Sequence, residues 1–222
     1  ARPVWRKDRQ TETDTLSGTL RGCMAKRSLR GAGLLMQVDK VCGLLEGARY
    51  VPSPNYDARP ADVAIDVLVI HSICLPPGEY GGTDIERLFC NNLDFGCHPF
   101  YGEIDGLTVS AHLLIRRDGQ VVQFVLFPER AWHAGVSVLD GRTRVNDFSI
   151  GIEMEGSDYA PFEEAQYRAL AEVTRALMAA YPGITPKRVV GHADIAPGRK
   201  TDPGPYFNWL RYRRTLARTS PA

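Results

Sequence analysis

A chain of 222 residues, 44% hydrophobic and 24% charged, has ordinary soluble composition and enough length for one full domain. Its 27 basic and 26 acidic residues leave a net charge of +1, which gives no reason to expect nucleic acid or an anionic membrane surface as a partner. No apolar run approaches the roughly 18 residues of a membrane span.

Residues 1–35 mix charges, hold few apolar anchors and keep no period of 2 or 3.6. They read as a poorly ordered extension ahead of a domain covering residues 36–222, and no secretory signal is visible in them. A chain beginning at Met36 is expected to fold and to keep a near-native rate; a large drop in its melting temperature would show that the extension docks on the domain. The five cysteines are odd in number and include no C-x-x-C pair, which argues against a disulfide framework or a cysteine zinc site. Reduced thiols in a cytoplasm, in a monomer, are the expectation.

Beyond Met36 apolar residues become denser, and Pro52, Pro54 and Pro60 then mark an extended segment. Val67 to Ile70 is a continuous apolar run that suits a strand buried on both faces, with His71 at its end. A loop follows from Ser72 through Pro76-Pro77-Gly78. Thr83, with Glu86 three residues on, reads as a capped helix start. The segment from Thr108 to Phe127 reads as two strands joined at Asp118-Gly119, a hairpin signal. In "SIGIEMEG", Ile150, Ile152 and Met154 share one strand face, while Gly151, Glu153 and Glu155 share the other. An amphipathic helix follows, with Tyr167, Leu170, Thr174, Leu177 and Tyr181 on one stripe, Glu163 and Glu164 in its first turn and Pro182-Gly183 at its end. "KRVVGH" is a short strand ending at His192. Strands alternating with helices, plus one hairpin, predict an α/β (mixed α+β) fold with a central mixed sheet flanked by helices.

The chemistry gathers at two strand ends and one loop. His71 and His192 end two predicted strands, where α/β sheets commonly build their sites. From Gly191 to Gly204 the chain is rich in glycine and proline, yet it carries Asp194, Lys200 and Asp202. His71, His192 and Asp202 would make a three-ligand zinc set that leaves a fourth position open, if the loop bends Asp202 back toward His192. Lys200 would then lie beside the metal, ready to stabilise an oxyanion formed when water attacks a carbonyl. Either histidine alone is equally compatible with a polar loop residue, and this spacing is a weaker signature than H-E-x-x-H. His98 reads as a loop residue. His112 either faces a site or sits satisfied in the core. Asp194 either orients His192 or caps a turn. No local context supports a cysteine nucleophile.

Taken together, "VIHS", "VSAHLLIRRDG", "RAWHAGVS", "NDFSIGIEMEG", "QYRALAEVTRAL" and "GHADIAPGRKTDPGP" resemble the AmpD-type N-acetylmuramoyl-L-alanine amidases. The resemblance runs from about Gly43 to Arg213. It implies zinc ligands at His71, His192 and Asp202, a catalytic acid at Glu153 and a catalytic lysine at Lys200. It also implies cleavage of the amide between a muramoyl lactyl group and L-alanine in muramyl peptides, with preference for the 1,6-anhydro sugar of cell-wall recycling. Substrate contacts fall near Trp132, His112, Thr108 and Arg144. Ser72 stands where the family often has Asn, which puts one substrate hydrogen bond in doubt and leaves the zinc set intact. A binding-only relative would typically lack one of the ligands, and a secreted wall-lytic amidase would carry a signal.

Overall fold

The apolar run at Val67 becomes a central strand of a six-stranded sheet in a computed structural model that describes residues 36–218. The extension 1–35 lies outside the described residues. The strands are β1 (Arg49–Tyr50), β2 (Val67–Ile73), β3 (Leu113–Ile115), β4 (Val121–Gln123), β5 (Ser149–Glu155) and β6 (Val189–Gly191). Their order across the sheet is β6-β2-β5-β3-β4-β1. The first four in that order are mutually parallel, β4 turns back antiparallel to β3, and β1 runs parallel to β4. Among the described residues, four α-helices accompany them: α1 (Asp84–Phe89), α2 (Glu164–Ala180), α3 (His192–Ile195) and α4 (Trp209–Ala217).

Parallel strands need cover on both faces. One face of β2 and β5 presents Leu68, Ile70, Ile150, Ile152 and Met154, which pack with Tyr167, Leu170, Val173 and Leu177 of α2. The stripe legible in the sequence is therefore the stripe that is buried. Tyr212 of α4 joins this layer, its hydroxyl 2.9 Å from Thr174 Oγ1. On the other face, Ile85, Leu88 and Phe89 of α1 cover Leu114, Val122 and Phe124. Ala134, Val145, Phe148 and Ile195 cover Val67 and Val69 there. The mixed sheet flanked by helices forms as its pattern predicts.

The β3–β4 hairpin turns at Asp118-Gly119, where Gly119 takes φ +88°, and the Arg116 amide donates to the Gln120 carbonyl at 2.9 Å. Two helix starts differ from expectation. Thr83 stands at the head of α1 with φ −98° and ψ 0°, outside the extended conformation an N-cap takes, and makes no side-chain cap; Glu86 pairs instead with Arg49 and Arg116. Glu163 precedes α2 rather than lying in its first turn, and its amide donates to Gln166 Oε1 at 3.0 Å. Among the described residues no helix is long and apolar enough to cross a membrane.

Register is what positions the chemistry. Glu153 on β5 lies directly opposite His71 on β2, and Gly191 on β6 lies opposite Ile70. The carboxyl ends of three parallel strands thus deliver Glu153, His71 and His192 to one edge of the sheet.

Candidate metal centre and active-site cleft

His192 follows β6 directly and begins α3. The Ala193 amide donates to the Asp202 carbonyl at 2.9 Å, tying the far end of the glycine- and proline-rich loop back to the strand end. Three donor atoms converge there. His71 Nδ1 and His192 Nδ1 are 3.0 Å apart, and Asp202 Oδ2 lies 3.1 Å and 3.0 Å from them. A tetrahedral zinc with bonds of about 2.0–2.1 Å sets its ligand atoms about 3.3 Å apart, so this triangle is close to the required size.

The hydrogen bonds behind the triangle test the fit. His192 Nε2 meets the Ala134 carbonyl oxygen at 3.1 Å, and a carbonyl can only accept. In the tautomer with one proton, held on Nε2 by that carbonyl, His192 turns a bare Nδ1 toward Asp202 and His71. A lone pair, a carboxylate oxygen and a second imidazole nitrogen crowded within about 3 Å call for a cation among them, and two nitrogens and an oxygen suit zinc. Burial pushes His71 down to about 4, against the pull of Asp202, so its ring is neutral and fit to be a ligand.

Glu153 sits beside this triangle. Its Oε2 is buried and makes no hydrogen bond. Burial first, then the Asp202 charge, pushes its carboxyl well above the ordinary glutamate value, with Lys200 opposing. Glu155, two residues on and pointing to the same face, is fully occupied. Its Oε1 accepts from the Gly81 amide at 2.7 Å and from Arg116 at 3.0 Å, and its Oε2 accepts from the Arg117 amide at 3.0 Å. Glu155→Ala is expected to destabilise the fold by about 1–3 kcal/mol, because the Gly81 and Arg117 amides lose their acceptor while Arg116 keeps Glu86. Thermal unfolding checks this; an unchanged melting temperature would contradict it.

A family model described as N-acetylmuramoyl-L-alanine amidase matches residues 61–205, a span that contains every residue of this centre. The chain belongs to that amidase family. It is 60% identical over 171 residues to the 1,6-anhydro-N-acetylmuramyl-L-alanine amidase AmpD of Escherichia coli K12, covering 77% of this chain and 93% of that protein. A crystal structure of a selenomethionine AmpD derivative superposes with a TM-score of 0.78 at 54% identity, covering 82% of this chain and 99% of the other. The E. coli amidase AmiD, solved in complex with anhydro-N-acetylmuramic acid-L-Ala-D-gamma-Glu-L-Lys, is 36% identical with a TM-score of 0.51, over 71% of this chain and 60% of its own.

In this amidase the centre lies in a cleft of about 450 Å³. Ser72, Thr108, Trp132 and Lys200 line it together with Glu153 and the three metal donors. The Trp132 amide donates to Ser110 Oγ at 3.0 Å. Two residues expected as substrate contacts do not line the cleft. The His112 ring is enclosed in the core: its Nδ1 accepts from the Gly151 amide at 3.0 Å, which leaves Nε2–H to donate to the Glu129 carbonyl at 3.1 Å. Arg144 sits exposed in a left-handed turn at φ +60° and pairs with Asp147 at 3.1 Å. Asp194 caps the start of α3, accepting from the Gly191 amide at 2.7 Å, and His98 caps a 3₁₀ turn through the Phe100 amide.

Sequence reasoning missed Asn146 and Arg199, and gave His133 no place behind the metal donors. Asn146 Oδ1 accepts from the His133 and Ala134 amides, holding that segment over the cleft. Arg199 donates to the Ala134 and Val136 carbonyls at 2.7 and 2.6 Å, so Ala134 oxygen serves both Arg199 and the ligand His192. The signal for His133 was a glycine inside a strand. A Cβ on Gly151 would lie 2.5 Å from His133 Cγ, so only glycine lets that ring rest on β5. Gly151→Ala is expected to destabilise the protein by about 1–3 kcal/mol through overpacking, read as a lower melting temperature. Unaltered stability would mean that the ring moves aside freely.

Proposed function

We propose that this amidase hydrolyses the amide between the lactyl group of 1,6-anhydro-N-acetylmuramic acid and L-alanine, with a zinc ion held by His71, His192 and Asp202. The observation that carries the reading is the triangle of metal donors with the unpartnered Glu153 carboxyl beside it, facing the same cleft. The name of the E. coli relative and the substrate in the AmiD complex support the sugar and the bond. We assign the reaction to cytoplasmic recycling of cell-wall fragments; Cys74, Cys90 and Cys97 are free thiols, which suits a reducing compartment.

An amide is a poor electrophile, and its nitrogen must be protonated to leave. A bound zinc supplies Lewis acidity, polarising the carbonyl and lowering the pKa of water. Glu153 does the proton work: its carboxylate takes a proton from the attacking water and returns it to the amide nitrogen as the bond breaks. Its raised affinity for protons favours the uptake step, and the more basic amine nitrogen that forms as the bond breaks takes the proton back. The Lys200 ammonium, on the cleft wall, stabilises the negative charge that develops on the carbonyl oxygen. Ile73, Phe89, Val109 and Trp132 give the cleft an apolar side on which a sugar ring can rest.

The test is digestion of 1,6-anhydro-N-acetylmuramoyl-L-Ala-D-γ-Glu-L-Lys followed by mass spectrometry. The expected products are the intact anhydro sugar acid and the free tripeptide. Cleavage inside the peptide, or none, would contradict the assignment.

A further inference from the structure

The two metal histidines are backed differently. His192 rests on a backbone carbonyl, the ordinary support for such a ring. His71 instead meets a second imidazole. His71 Nε2 and His133 Nδ1 are 2.9 Å apart, and His133 Nε2 lies 3.2 Å from Ser149 Oγ. All three side chains are buried. The fold makes room for this chain of groups: Gly151 leaves the space that the His133 ring fills, and Asn146 pins the His133 amide.

A chain of imidazoles has two polarities, because each neutral ring carries one proton. For His71 Nδ1 to give its lone pair to a metal, the proton must be on Nε2, and His133 Nδ1 must be bare to accept it. His133 then carries its own proton on Nε2 and donates it to Ser149 Oγ, which can accept. The opposite polarity puts a proton on His71 Nδ1, in the middle of the donor triangle, and closes that ligand to the metal. We infer that His133 is a positioning residue that, anchored by Ser149, holds the His71 proton on Nε2 and so keeps Nδ1 open for the metal. This inference rests on the zinc reading above. It assigns His133 no contact with substrate.

The test compares His133→Phe with His133→Asn in the full chain. Phenylalanine fills the ring's space but offers no acceptor. Asparagine fills less space but can place Oδ1 where Nδ1 was. Zinc affinity, measured by competition with a chelator of known strength, is expected to fall about 10–100-fold in His133→Phe and to recover most of that loss in His133→Asn. A purely structural role predicts the reverse order, with the space-filling variant the tighter binder, and that order would overturn the proposal. In the zinc-loaded native protein, ¹⁵N spectra of labelled histidines are expected to show His71 protonated on Nε2; a bare Nε2 overturns the proposal even if neither variant folds. If the native chain takes up no zinc, the zinc reading itself fails. If it takes up zinc and His133→Phe holds the ion as tightly, only the role of His133 fails.

Discussion

Replacing Glu153 by alanine is expected to lower kcat by roughly 10²–10⁴, the usual worth of a general acid–base group, while fold and zinc content stay native. The contrast with Glu155 gives the prediction its force. The two carboxylates share a strand face, and residue type alone does not separate them. Their partners do. Glu155 is neutralised by Arg116 and two backbone amides, so it has no free oxygen for a water. Glu153 has a buried oxygen with no partner, next to the metal donors. Glu155→Ala should therefore lower the melting temperature, and kcat measured well below the new midpoint should fall far less. Kinetics on one muramyl peptide, with zinc content checked in each variant, decide the matter. A crippled Glu155→Ala beside a nearly normal Glu153→Ala would reverse the assignment.

Asp202→Ala is expected to lose most of its bound zinc and, with it, amide cleavage. The carboxylate is the sole acidic group of the donor triangle, and the two imidazoles that remain form an incomplete set. The fold should survive, because the tether between the two ends of this loop uses the Asp202 backbone carbonyl, which alanine retains. Metal analysis after gel filtration reads the result directly. Stoichiometric zinc in Asp202→Ala would mean that a different group completes the site.

Much of this was legible in the sequence where a pattern was long enough to carry it. The four-residue apolar run of β2 is buried on both sides, and the alternation of β5 and the stripe of α2, each over seven residues or more, bury the face their period marks. The Asp118-Gly119 turn declared its hairpin through the left-handed conformation glycine allows. The strand pairs Val38–Asp39 with Leu44–Leu45 and Tyr56–Ala58 with Glu129–Ala131 are two or three residues long, too short for any period to show. In the site, His71, His192 and Asp202 stood out because strand ends and a loop of glycines and prolines have little structural need for such groups. His112 and His133 lie within or beside strands, where a histidine can face either way. Only the register of β5 and the space above Gly151 send one into the core and the other to the back of the metal centre. Glu86 shows the same limit: its local spacing suggested a cap, and two arginines distant in sequence claimed it.

The most direct test of the central claim is to remove the metal completely and restore it in steps, following cleavage of the anhydro-muramoyl peptide at each. The account predicts no cleavage in the metal-free chain, and a rate that climbs in proportion to bound zinc and stops rising at about one ion per chain. Full activity in a preparation verified to be free of metal would contradict it.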